Sequence, residues 1–258
     1  MEYGICNLAI APLRAEATHR SEMTSQLLFG ETFEIVERTD DWSRIVTTFD
    51  GYEGWITNLQ YQPVTAGEIL SLSLENIVTT RSVVTPVLKE SDNSVLSLPF
   101  GCSLPFYDGA DCRLAGINYN VRSADDLTAF LETAYSFLNT PYLWGGRTHF
   151  GIDCSGYTQA VLRTRGTTLQ RDAYLQAGQG TAVDFLLEAR LGDLAFFDNA
   201  EGRITHVGIM LDNHSIIHAS GRVKIDQIDD QGIYSAEQKK YTHKLRIVKR
   251  YLTADFDH

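Results

Sequence analysis

The sequence predicts an α+β chain: one or two small β-barrels followed by a mixed half of helices and sheet. Three observations carry this reading. Across the first 120 residues, short β-type runs alternate with turn residues and long helical periodicity is absent. A weaker version of the opening pattern returns 71 positions later. Beyond residue 122, apolar residues recur twice at helical spacing and then give way to a meander of strands. A chain of 258 residues has room for two or three small domains. They are expected at 1–62, 63–122 and 123–258.

In the first domain the strands run through Glu31-Thr32-Phe33-Glu34-Ile35-Val36, then Trp42-Ser43-Arg44-Ile45-Val46-Thr47 after the turn residues Asp40-Asp41. Pro12-Leu13-Arg14, Leu27-Leu28-Phe29-Gly30-Glu31 and the Gly51-Tyr52-x-Gly54-Trp55 ending resemble a bacterial SH3 domain. The echo consists of Leu98-Pro99-Phe100-Gly101 against Leu27-Leu28-Phe29-Gly30, and Thr85-Pro86-Val87-Leu88-Lys89 against Ala11-Pro12-Leu13-Arg14. It predicts a second barrel, degenerate because it lacks the Gly-x-Trp ending. Linkers near 61–67 and 118–123 are short and contain no low-complexity segment.

In the last domain, Leu127, Phe130, Leu131, Ala134 and Leu138 predict a helix over 124–138, with Ser123 as N-cap and Pro141 as its stop. A second helix is expected over 154–165, ending at Gly166, and a short one over 173–176. Strands follow near 194–197, 205–211, 215–219 and 245–251.

Composition narrows the function. Hydrophobic content of 43% and charged content of 21% are ordinary for a globular protein. A formal charge of −11 argues against nucleic acid and an anionic membrane surface as partners, and it does not favour electrostatic docking onto acidic wall polymers. No basic segment followed by an apolar stretch opens the chain, and no run is long enough to span a bilayer. If Met1 is the native start, a cytoplasmic monomer is expected. Cys6, Cys102, Cys112 and Cys154 show no C-x-x-C pair and no zinc spacing, so free thiols and no metal or other cofactor are expected.

The chemistry concentrates around Cys154. It follows a glycine-rich turn, and Asp153 is a good N-cap for the helix it opens. The unpaired N–H groups and positive dipole end of a helix start bias a thiol toward thiolate. A free cysteine is nevertheless most often a small buried hydrophobe. Two histidines shift the balance. His206 and His218 lie on strand-like runs joined by Asp212-Asn213-His214. A loop over 211–213 would pair His206 with His218; a loop over 212–214 would pair Gly208 with His218. Either register puts both histidines on one face, within reach of each other. His206 would take the thiol proton and His218 would orient it. The remaining histidines, His19, His149, His214, His243 and His258, have no evident partner in the sequence, and most are expected to be solvated.

Pro141-Tyr142-x-Trp144-Gly145-Gly146, Asp153-Cys154-Ser155-Gly156-Tyr157, Gly192-Asp193-Leu194-x-Phe196-Phe197, His206-Val207-Gly208-Ile209 and His218-Ala219 together resemble the NlpC/P60 family of cell-wall cysteine peptidases. The resemblance implies a papain-like catalytic domain with a Cys154–His206–His218 triad, and Tyr142 helping to hold the oxyanion. SH3-like barrels ahead of such a domain resemble the γ-D-glutamyl-L-diamino acid endopeptidases of murein recycling, the dipeptidyl-peptidase VI-like subgroup. That implies cleavage of murein tri- or tetrapeptides, L-Ala-γ-D-Glu-diamino acid, with a free N-terminal L-Ala. Glu22, Tyr52 and Asp172 match groups that hold the L-Ala ammonium in that subgroup, and Arg171-Asp172 matches its Arg-Asp pair. Asp153 and Ser155 flank the nucleophile. Ala173 stands where the subgroup commonly has serine, which removes one hydrogen-bonding hydroxyl. A general peptidoglycan hydrolase, a wall-binding adaptor and a thioester acyltransferase of the same fold are the alternatives.

Overall fold

The computed structural model describes residues 1–72, 78–122 and 129–252. The chain forms two compact units, residues 1–127 and 128–258.

The first unit is almost entirely sheet. Seven antiparallel strands lie in the order Met23–Leu28, Ile10–Arg14, Glu53–Thr57, Trp42–Thr47, Thr32–Arg38, Glu2–Ile5 and Gln62–Val64. Period-two alternation turns Ala11, Leu13, Phe33, Ile35, Ile45 and Ile56 into a common core with Leu27 and Tyr61. A second sheet takes the order Ser94–Pro99, Val84–Lys89, Ile117–Val121, Asp111–Leu114. Val87, Leu98, Cys112, Leu114 and Tyr119 from this part share one core with Ile5, Leu28 and Phe29 from the first. The two Phe-Gly corners behave alike: Phe29 and Phe100 are buried, and Gly30 and Gly101 both have left-handed backbone, φ 77° and 85°. All four cysteines of the chain are buried and outside any disulfide.

The second unit closes a sheet on itself. Strands run Lys240–Arg250, Leu194–Asp198, Ile204–Met210, Ser215–Ser220, Arg222–Asp229 and Gly232–Ser235, and the last pairs again with Lys240–Arg250. Ala195, Phe197, Met210, Ile216, Ile228, Ile233 and Val248 fill one core cluster. The loop over 212–214 is the one formed. The Leu211 N–H donates to the Ser215 carbonyl at 2.9 Å, and Gly208 faces His218. Glycine is needed there, because a Cβ at 208 would come within 2.8 Å of the His218 Cβ.

Three helices are described in this unit. The first, Phe130–Ser136, is shorter than the predicted one; Ser123 and Leu127 fall outside the described residues. The cysteine helix, Cys154–Arg163, ends two residues before the expected 165, and Gly166 beyond it takes φ 74°. The short helix spans Ala173–Gln176. The sequence reading did not find the strands Arg222–Asp229 and Gly232–Ser235. In the first of these the pattern is inverted, with Lys224 and Asp226 buried and Ile225 43% exposed. A search for apolar alternation passes over such a strand. Among the described residues no helix is long and apolar enough to cross a membrane.

Candidate active site

The setting of Cys154, the expected nucleophile, is built from Asp153. Its backbone is extended, and its carboxylate accepts the Gly156 N–H at 2.7 Å, capping the cysteine helix. The same carboxylate accepts the Gly145 N–H at 2.9 Å, tying the glycine-rich turn to the helix start. At Gly156 a Cβ would lie 2.4 Å from the Gly146 carbonyl oxygen, so turn and helix approach this closely only with glycine. Arg171 completes the frame. Almost fully buried, its guanidinium forks onto both Asp153 oxygens, one contact at 3.0 Å, and reaches Ser155 Oγ at 2.9 Å.

Cys154 sits in the first turn of this helix, 6% exposed. The backbone N–H groups of Val207 and Ser155 donate toward its sulfur, which places the thiol against the strand that carries His206. Tyr142 lies beside it, close enough that Cys154 and Asp153 act on the phenol. Burial first and these neighbours second raise the Tyr142 pKa, which keeps its hydroxyl a donor. The sequence predicted a thiolate bias at this helix start. The structure reverses it: burial, followed by the Asp153 charge, pushes the Cys154 thiol up to about 12, outweighing the Val207 amide, Arg171 and the Ser155 amide.

His206, the expected base, is held by a relay that runs across three adjacent strands. His206 Nε2 lies 2.8 Å from His218 Nδ1, and His218 Nε2 lies 3.1 Å from Asp226 Oδ2. Burial raises the Asp226 pKa, but hydrogen bonds from His218 and Lys224 more than offset this and hold it below its ordinary value. Lys224 Nζ is 2.9 Å from the same oxygen. An ionised carboxylate only accepts, so His218 Nε2 carries the proton and His218 Nδ1 carries a lone pair. His206 must then donate through Nε2–H. Its Nδ1 is left as the basic nitrogen. Burial drives the His206 pKa well down, with His218, His243 and Lys224 adding to the effect, so the ring is neutral at rest. Burial also lowers His218, against the opposing Asp226 hydrogen bond.

The structure thus brings Cys154, Tyr142, Asp153, Ser155, Arg171, His206 and His218 into one neighbourhood. Asp172 is the half-buried N-cap of the short helix, next to Arg171. Glu22 and Tyr52 belong to the first unit: Glu22 is exposed beside the strand Met23–Leu28, and Tyr52 packs against the barrel core. Asp226 and Lys224 were missed, because nothing local marks two charged residues on a strand edge as inward-facing. The expectation of solvated histidines fails at two positions, His243 and His149. The His243 ring stacks on His206 with centroids 4.1 Å apart and planes at 25°. His149 stacks on Phe137 at 3.5 Å and bonds to Ser136 Oγ at 2.9 Å. His19 is exposed, as expected, with its ring on Trp42 at a centroid distance of 4.9 Å. His214 is exposed, and His258 lies outside the described residues.

Comparison with known proteins agrees with this geometry. The model of the NlpC/P60 family matches residues 139–246, and that of the bacterial dipeptidyl-peptidase Sh3 domain matches residues 13–59. A γ-D-glutamyl-L-lysine dipeptidyl-peptidase of Bacillus cereus is 29% identical over 236 residues, covering 78% of this chain and 68% of that one. The probable endopeptidase NlpC of Escherichia coli is 39% identical over 106 residues, covering 39% of this chain and 68% of the relative. A crystal structure of an NlpC/P60 family protein from Bacillus cereus has the same fold, with TM-score 0.78 at 20% identity over 97% of this chain and 100% of that one. With a capped cysteine helix, a two-histidine relay and these relatives, the chain belongs to the NlpC/P60 family.

Proposed function

We propose that this chain, a hydrolase of peptide bonds, cleaves the γ-D-glutamyl–diamino acid bond of murein stem peptides that carry a free N-terminal L-alanine, as a monomeric enzyme of wall-peptide recycling. The observation that supports the chemistry is the Cys154 thiol against the strand that carries His206, whose tautomer is fixed through His218 by Asp226. The substrate is supported by the Bacillus cereus relative, whose name gives a γ-D-glutamyl-L-lysine specificity, and by the Sh3 domain of dipeptidyl-peptidase type.

Thiol and imidazole are both neutral at rest, so attack and proton transfer are coupled. The Cys154 sulfur bonds to the γ-carbonyl carbon while its proton passes to His206. The developing imidazolium is stabilised through His218 by the Asp226 charge. The oxyanion is held by the Tyr142 hydroxyl and the helix-start amide. His206 returns the proton to the leaving amine of the diamino acid, the C–N bond breaks, and a thioester remains. Water then gives its proton to His206, attacks the thioester and frees the thiol. In this reading Asp153, Ser155 and Arg171 frame the pocket, since their polar atoms bond to one another. Glu22, Tyr52 and Asp172 bind the substrate ammonium.

The test is mass spectrometry after incubation with L-Ala-γ-D-Glu-diaminopimelate, its L-lysine counterpart, and both peptides N-acetylated. Release of L-Ala-γ-D-Glu from the free-amine peptides is the expected result. Equal cleavage of the acetylated peptides, or of intact peptidoglycan, removes the recycling specificity. Transfer to an added amine in preference to water makes the enzyme an acyltransferase.

A further inference from the structure

We propose that His206, His218 and His243 together form a binding site for zinc that switches the enzyme off. One ligand nitrogen from each ring lies within 4.8 Å of the others. The rings come from three strands of the closed sheet, Ile204–Met210, Ser215–Ser220 and Lys240–Arg250. His218 meets the two stacked rings edge-on, with centroids 5.1 Å from His206 and 5.7 Å from His243. Zinc holds imidazole nitrogens at about 2.0–2.1 Å in a tetrahedral shell, so two ligands of one ion stand roughly 3.3 Å apart. The 2.8 Å between His206 Nε2 and His218 Nδ1 is short of that by only about half an ångström.

Groups around two of the three rings already orient them for a metal. A metal-bound histidine characteristically donates its other N–H to a carboxylate or another acceptor, which fixes tautomer and ring plane. His218 does so to Asp226 at 3.1 Å, leaving its Nδ1 lone pair facing His206. His243 Nδ1 is 2.9 Å from Thr242 Oγ1, and that hydroxyl lies 3.4 Å from the Ile233 carbonyl, its acceptor. The oxygen therefore accepts the Nδ1–H of His243, and Nε2 keeps its lone pair. Of the three rings only His243 is more than marginally exposed, which gives an ion its entry.

The consequence follows from one proton. At rest His206 carries its proton on Nε2 and its lone pair on Nδ1. An ion bound at Nε2 moves that proton to Nδ1. The ring stays neutral and no proton is released, yet the lone pair that would receive the thiol proton is gone. The ion thus inhibits by enforcing the wrong tautomer, without contacting the sulfur. Binding stands independently of the peptidase reading; inhibition rests on it.

The experiment is a calorimetric titration of the untagged, chelator-treated full chain with zinc chloride. One ion per chain at micromolar affinity or tighter is expected. His243→Phe, which keeps a stacked ring but removes the ligand, should weaken binding at least tenfold, and His243→Gln should match it. His214→Ala, at an exposed histidine, and Cys154→Ser should leave binding unchanged. Thermal unfolding of the zinc-free variants shows that each is folded. Absence of binding, unchanged binding in folded His243 variants, or loss in Cys154→Ser overturns the site. In a parallel peptide assay, zinc should inhibit over the same concentration range, reversibly with excess chelator. The inhibition curve of His243→Phe, referred to its own zinc-free rate, should shift at least tenfold. Zinc bound without inhibition overturns the switch. A zinc-free enzyme that cleaves no peptide overturns the peptidase reading, and the titration still decides the site.

Discussion

Asp226 touches neither nucleophile nor substrate in the proposed reaction, yet the relay makes the rate depend on it. Two substitutions separate its charge from its hydrogen bond. In Asp226→Asn the amide oxygen can still accept from His218 Nε2 and Lys224 Nζ, now 3.1 and 2.9 Å from the carboxylate, so the tautomer of His206 is kept. What is lost is the difference between a charge-assisted and a neutral hydrogen bond, about 1–1.5 kcal/mol. That loss falls on the transition state, where His206 is cationic, and corresponds to roughly a tenfold lower kcat. Asp226→Ala removes the acceptor altogether. His218 is then free to carry its proton on Nδ1, facing His206 Nε2, and His206 is pushed into the tautomer that cannot accept a proton. A wrong tautomer in a comparable triad costs about 10⁴ in kcat, and a loss of about 10³ is expected here.

The assay is steady-state hydrolysis of L-Ala-γ-D-Glu-L-Lys, followed by chromatographic separation of the released L-Ala-γ-D-Glu. KM should move less than threefold in both variants, because Asp226 acts through His218. The alanine variant also leaves Lys224, only 9% exposed, with just the longer 3.9 Å contact to Glu237 in place of its 2.9 Å carboxylate partner. Adding Lys224→Met should therefore recover melting temperature without recovering kcat. Wild-type kcat in a folded Asp226→Ala enzyme, or an equal loss in the Asn and Ala variants, would refute the relay.

Further outcomes follow from the same geometry. Cys154→Ser and His206→Ala should each remove nearly all turnover, and His218→Asn should retain more than His218→Ala, since an amide oxygen still accepts the His206 proton; equal loss in both His218 variants counts against orientation. Because burial pushes the Cys154 thiol up to about 12, inactivation by iodoacetamide should accelerate about tenfold per pH unit between pH 7 and 10, and a plateau already reached at pH 7 would mean a preformed thiolate. Arg171→Met should destabilise the fold by about 3–5 kcal/mol, read by urea unfolding, because it leaves the Asp153 charge buried and unpaired; a loss below about 1 kcal/mol would show that Asp153 is satisfied by its amides alone. Acetylating the L-Ala nitrogen should lower kcat/KM at least about tenfold, and Glu22→Gln should shrink that ratio; an unchanged ratio removes Glu22 from the amine site.

The chain was legible wherever side-chain identity and local spacing determine structure. Asp153 before Cys154, glycines at 145, 146 and 156, and helical spacing at Tyr157 and Val161 all point to a capped helix opening on the thiol, and the structure has it. The histidine hairpin was legible up to its register, since two loop placements satisfied the same pattern and only the formed Gly208–His218 pairing decided between them. Illegible features depend on which way a polar residue faces. Lys224 and Asp226 point inward because each neutralises the other and His218 is there to receive them. His243 stacks half-buried on His206 because the sheet closes, a long-range event with no local signature. The protonation of Cys154 was misread for the same reason: the helix start is a local feature, whereas the burial that outweighs it comes from the strand across.

The position of the negative charge explains why the relay has a histidine in the middle. A carboxylate bonded directly to the base would favour imidazolium at rest, and with it a thiolate. Here the charge stands two hydrogen bonds away, is shared with Lys224, and is reached through a neutral ring. Burial then dominates, and both His206 and Cys154 rest uncharged. Charge appears only as the thiol attacks, when the imidazolium forms and the preoriented chain His218–Asp226 stabilises it without reorganisation. A neutral pair suits the proposed substrate, a charged, zwitterionic peptide, because it adds no resting charge to compete with that peptide's own ammonium and carboxylates. The same neutrality leaves the His218 and His243 lone pairs available to a cation, with His206 joining them once its proton moves to Nδ1, so the arrangement proposed for the reaction also creates the opening for the proposed inhibition.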